Sequence, residues 1–112
     1  MTDLAPDLSA TRTRLQSSLA ELETRLTHIA RDLSDTPDRD WEEQAIELED
    51  DEALEHQAAL VEAEIVSVKR ALERINKGTY GECVQCGEQI SPARLQARPE
   101  AALCIDCANN AA

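Results

Sequence analysis

The sequence predicts a mainly α protein: an antiparallel two-helix coiled-coil hairpin followed by a small four-cysteine module. Three observations predict it. Two stretches carry apolar residues at alternating steps of four and three, which is the mark of a heptad seam. Pro37 breaks the pattern between them. All four cysteines lie after Gly78, in two C-x2-C pairs. The chain has 112 residues with no Phe, one Trp and one Tyr. That length holds one domain, or one domain with an extension, and a narrow seam of leucine, isoleucine and alanine needs no aromatic core. The pattern divides the chain into a hairpin over 1–77, with its tip at about 34–40, and a module with a short tail over 78–112.

The first helix is predicted over 8–33. Its seam runs Leu15, Leu19, Leu22, Leu26, Ile29, Leu33, and it should be roughly 39 Å long at about 1.5 Å per residue. Pro37 ends it and pushes Thr36 out of helical space. The second seam runs Leu54, Ala58, Val61, Ile65, Val68, Leu72, Ile75, and Trp41, Ala45 and Leu48 continue it upstream. The step from Leu48 to Leu54 is one residue short of a heptad pair, a stammer that should overwind the coil at the acidic stretch 49–52. Gly78 should close this helix, with Arg74 and Lys77 in the last turn where they suit the dipole. Two such stripes joined by a short break pair most simply as an antiparallel hairpin. His28 and His56 lie off the seams and are expected at the surface.

Charge is concentrated rather than spread. The net charge is −12, and residues 32–64 alone contribute −13, with Arg39 as their single cation. No Lys or Arg occurs from Asp40 to Val68. Such a surface repels phosphate backbones, so nucleic acid is not an expected partner. It suits a basic protein groove, although acidic helix faces are often only solvated. No apolar run is long enough to span a membrane. The start "MTDLAPDLSATR" does not read as a secretory signal, so a cytoplasmic location with reduced thiols is expected.

Cys83, Cys86, Cys104 and Cys107 form C-x2-C-x17-C-x2-C, which lies within the spacing of structural zinc sites. Two residues between thiolates let a knuckle turn aim both sulfurs at one metal, and Gly87 permits the tight backbone. Four thiolates complete a tetrahedron with no position left for water, so one zinc per chain is expected to hold shape rather than to catalyse. Iron could fill the same ligands. A thioredoxin-like redox pair would need a βαβ context that this short segment cannot supply. Between the pairs, 91–99 reads as a short helix with Ser91 as cap, Pro92 at its first position and Pro99 beyond its end.

The stretch "GTYGECVQCGEQISPARLQARPEAALCIDC" (78–107) closely resembles the zinc-finger module of the DksA/TraR family, the DnaK-suppressor-type bacterial transcription regulators. The Gly-Thr-Tyr-Gly lead-in, the cysteine spacing, the Ala-Arg-Leu helix and the "LCIDC" ending carry the resemblance, and the hairpin before them fits it too. The chain resembles a short member of that family. The resemblance implies a regulator whose hairpin enters the secondary channel of RNA polymerase, with acidic tip residues near the active centre and no DNA bound. The family tip motif is Asp-x-x-Asp-x-Ala. Asp35 to Asp40 gives one register, without the alanine. Asp40, Glu43 and Ala45 give the other, which keeps the ungapped distance to the first cysteine and is preferred here, with Trp41 beside them. Asp40 and Glu43 also fit a capping box at a helix start. Arg94 and Arg98 are candidate contacts to the polymerase rim.

In alarmone-responsive members, basic residues on the second helix and after the last cysteine hold guanosine tetraphosphate. By the ungapped count these positions are Leu60, Glu64, Ser67 and Ala108, none of them basic. A weak response, or none, is therefore expected. The expected state is a monomer. A different class of function remains open on the residues: a zinc-thiolate redox sensor or holdase-type interaction protein. A DNA-binding zinc finger conflicts with the charge. An enzyme is not expected, since no nucleophile–base pair or open metal position is visible.

Overall fold

The computed structural model describes residues 8–34 and 41–110, with side chains for 8–33 and 51–110. Two long helices come first: α1, Ser9–Ser34, and α2, Trp41–Lys77. Two short ones follow: α3, Pro92–Ala97, and α4, Ile105–Asn110. No strand occurs among the described residues, only an isolated antiparallel bridge between Glu82 and Gln89. The chain is thus the mainly α protein its seams predict, with the cysteines in a module after α2. Both long helices fall within a residue or so of their predicted bounds. The predicted tip at 34–40, including Asp40, lies almost wholly outside the described residues. Trp41, Glu43 and Ala45 belong to α2.

Cα packing divides the chain into two compact units. One is 20–65, and the other joins 1–19 to 66–112. In the first unit Leu22 and Ile29 of α1 are buried, as are Val61 and Ile65 of α2. Leu26, Leu33, Leu54 and Ala58 are half-buried. A narrow seam flanked by exposed polar positions is what a heptad pattern gives. His28 and His56 are both exposed. Among the described residues no helix is long and apolar enough to cross a membrane.

The second unit has a core of its own. Leu15 and Ala71 are fully buried, and Val68 and Ile75 nearly so. The seam predicted Leu72 at this level, yet Leu72 is only half-buried and Ala71 takes the inner place. Positions 71 and 72 lie one helical step apart, and alanine lets a neighbouring backbone come closer than leucine does. The start of α1 lies beside the end of α2, where Arg12 Nη1 donates to Asn76 Oδ1 at 2.7 Å. This neighbouring of opposite ends is the antiparallel sense. The C-terminus of α2 closes as predicted at Gly78, which has φ of +82°. Thr79 N–H donates to the Arg74 carbonyl at 2.9 Å and Gly78 N–H to the Ile75 carbonyl at 3.3 Å. These are the paired bonds of a Schellman motif, and its C′ position favours glycine.

Candidate metal centre

The first cysteine pair sits in a tight turn. Cys83 N–H donates to the Glu88 carbonyl at 2.8 Å, and Gly87 N–H to the Cys83 carbonyl at 3.0 Å. Gly87 has φ of +79°, a conformation that a side chain would strain. The turn is pinned at its base, where Ile90 N–H donates to the Gly81 carbonyl at 2.8 Å. Between the pairs α3 forms as read from the sequence. Ser91 caps it, with its side chain accepting from Arg94 N–H at 3.2 Å, and Pro92 opens the first turn. The second pair opens α4. Cys107 N–H points at Cys104 Sγ, 3.5 Å away, and Ala108 N–H donates to the Cys104 carbonyl at 2.9 Å. Val84 N–H donates to the Ala102 carbonyl at 2.9 Å and so ties the two knuckles together.

These local structures bring all four Sγ atoms within 4.8 Å of one another. A tetrahedral zinc with Zn–S of about 2.3 Å has ligand–ligand edges of about 3.8 Å. Cys86 Sγ and Cys104 Sγ lie 3.7 Å apart, which is such an edge and far from the roughly 2.05 Å of a disulfide. All four thiols are free of disulfides. The electrostatics fit a cation. Backbone groups of Cys104 and Cys86 lower the Cys83 thiol from 9.0 to about 6. The Cys107 thiol is pushed far up, first by its hydrogen bond with Cys104 and then by burial. One sulfur therefore ionises readily, while another is held as a thiol by its hydrogen bond with Cys104 and by burial. A divalent cation lets all four be thiolates at once. The donor set fits one zinc, closed to water and structural in kind.

The segment from Pro99 to Leu103 delivers the second pair without regular structure of its own. Side chains hold it. Tyr80 OH donates to the Pro99 carbonyl at 2.8 Å, and Arg94 Nε to the Leu103 carbonyl at 2.9 Å. Arg74 Nη2 lies 3.4 Å from the carbonyls of both Glu100 and Ala101. Arg14 Nη1 of α1 donates to the Gln96 carbonyl at 2.6 Å. The two arginines singled out in the sequence therefore differ. Arg94 is turned into its own module, whereas Arg98 is exposed and pairs with Glu100 at 3.4 Å. Sequence reasoning gave Arg74 only a place in the last turn of α2, suited to the helix dipole, and gave Tyr80 no bonding role. The one available signal was the lone tyrosine of the Gly-Thr-Tyr-Gly lead-in.

A four-thiolate zinc site built from two knuckles after a pair of long helices defines a class, the helical proteins with a C4 zinc finger. Residues 78–110 match the prokaryotic dksA/traR C4-type zinc finger, and residues 12–75 match the DnaK suppressor protein-like N-terminal domain. The chain belongs to the DksA/TraR family. It is 30% identical over 100 residues to the RNA polymerase-binding transcription factor DksA of Escherichia coli, covering 89% of this chain and 63% of that protein. It is similar in structure to the transcription factor DksA2 from Pseudomonas aeruginosa, with a TM-score of 0.76 and 29% identity, over 88% of this chain and 78% of that one. It is also similar to the DnaK suppressor protein from Agrobacterium tumefaciens, with a TM-score of 0.67 and 32% identity, over 98% of this chain and 99% of that one. The chain spans 48% and 63% of the length of the first curated relatives it matches.

Proposed function

We propose that this protein is a transcription regulator that binds RNA polymerase, inserts its helical hairpin through the secondary channel and brings an acidic tip near the active centre, without binding DNA. The observation that carries the reading is the match of both parts of the chain to a family in which a relative at 30% identity is named an RNA polymerase-binding transcription factor. The charge supports it. Glu52, Glu55, Glu62 and Glu64 stand exposed on α2, in a region with no cation from Asp40 to Val68. Such a face is repelled by nucleic acid and attracted by a basic protein channel. The zinc holds the module's shape, and the module supports the base of the hairpin on the polymerase rim, where the exposed Arg98 is the better placed of the two arginines for a contact. The protein works as a monomer in the bacterial cytoplasm.

Asp40, Glu43 and Ala45 form the tip in this reading, with Trp41 beside them, and Glu43 stands where the family motif has a second aspartate. The test is transcription in vitro from a promoter with an unstable open complex. The double variant Asp40→Asn with Ala45→Thr should bind polymerase about as well as wild type and lose the effect on transcript yield. Regulation by the variant equal to wild type would remove the tip assignment.

A further inference from the structure

The ligands Cys104 and Cys107 are presented by a stretch that has no helix or strand to hold it, yet every carbonyl from Pro99 to Leu103 has a donor from outside the stretch. Tyr80 serves Pro99, Arg74 serves Glu100 and Ala101, Val84 N–H serves Ala102, and Arg94 serves Leu103. The last of these stands apart for two reasons. The Leu103 carbonyl belongs to the peptide bond that joins Leu103 to Cys104, so its direction sets the orientation of the Cys104 backbone. Cys104 Sγ in turn receives the Cys107 N–H at 3.5 Å and lies 3.7 Å from Cys86 Sγ. The bond is also charge-assisted and well formed at 2.9 Å, from a half-buried guanidinium, and such bonds are roughly twice as strong as neutral ones.

We propose that Arg94 is a positioning residue of the zinc site. Its Nε–H bond to the Leu103 carbonyl fixes the peptide before Cys104 and so holds the second thiolate pair in the tetrahedral arrangement. Arg94 is itself fixed at both ends of its short helix. Its N–H reaches the Ser91 cap, and its carbonyl accepts Arg98 N–H at 2.7 Å. The guanidinium therefore projects from a rigid base, and the link runs from α3 through one peptide to the metal. Partners that orient metal ligands in this way typically contribute about 10- to 100-fold to metal affinity.

The test uses the full chain loaded with zinc, and a parallel preparation loaded with cobalt(II). Arg94→Met keeps the stem and removes the donor, Arg94→Lys keeps a cationic donor, and Arg98→Met removes a neighbouring exposed charge. Zinc transfer to a chromophoric chelator should be about tenfold more favourable for Arg94→Met than for wild type. Its cobalt d–d bands should be altered, while the helical signal of the long helices stays unchanged. Arg94→Lys should recover most of the retention, and Arg98→Met should keep the zinc retention and cobalt bands of wild type. Wild-type retention and spectrum in Arg94→Met would overturn the proposal. So would lysine no better than methionine, or an equal loss in Arg98→Met.

Discussion

Tyr80 shows how much one side chain can carry. Its hydroxyl holds the Pro99 carbonyl at 2.8 Å, and replacement by phenylalanine leaves that carbonyl without its donor. Tyr80→Phe should lower the stability of the zinc-loaded module by about 0.5–1.5 kcal/mol, read from chemical denaturation. Burial pushes the phenol above its ordinary 10.0, with the Arg74 guanidinium pulling it back. The neutral form is thus the one the fold prefers. The stability it contributes is complete below pH 10 and is lost as pH rises through the raised value. Because the chain has a single tyrosine, absorbance titration reads this group alone. Its midpoint should lie above 10 in the folded protein and return to about 10 in denaturant. A midpoint unchanged by denaturation would contradict the burial. None of this was legible in the sequence. A side-chain donor to a distant backbone carbonyl leaves no periodicity and no spacing, so Tyr80, Arg74 and the inward turn of Arg94 all escaped it.

Elements were far more legible, because each has a local cause. The heptad steps placed α1 and α2, and Gly78 placed the end of α2 in the Schellman motif that is found there, whereas the break expected at Pro37 lies outside the described residues. Ser91 and Pro92 placed the start of α3. The Cys spacing placed all four ligands. The miss at Ala71 and Leu72 came from tertiary packing, which decides between adjacent helical positions that a seam cannot separate. Two substitutions test this level. Leu15→Ala empties a fully buried position and should cost about 2–5 kcal/mol. Gly78→Ala meets nothing within 4 Å of the added Cβ, but the positive φ remains. It should therefore cost about 1–2 kcal/mol through backbone strain alone, and equal stability would show that the motif had rearranged.

For the whole molecule, zinc and charge set the behaviour. Structural zinc in isolated peptides contributes about 10–16 kcal/mol, and the module has few buried side chains of its own: Cys83, Ile90, Pro99 and Ala101 among the apolar ones. Chelation should therefore melt residues 79–108 and leave most of the long helices formed. Circular dichroism with metal analysis checks this, and loss of all helix on chelation would contradict it. Guanosine tetraphosphate should add little to the protein's effect on transcription. Glu62 and Glu64 are exposed and repel polyphosphate, and the nearest cations on that helix begin at Lys69. A large gain specific to this protein in an alarmone titration would overturn that expectation. The proposed function rests on association with RNA polymerase. The most direct measurement is binding of the fluorescently labelled, zinc-loaded chain to purified bacterial RNA polymerase, followed by anisotropy. Binding should saturate at one chain per polymerase, unchanged by Asp40→Asn with Ala45→Thr and weakened by added salt. No binding by the folded, zinc-loaded chain would contradict it.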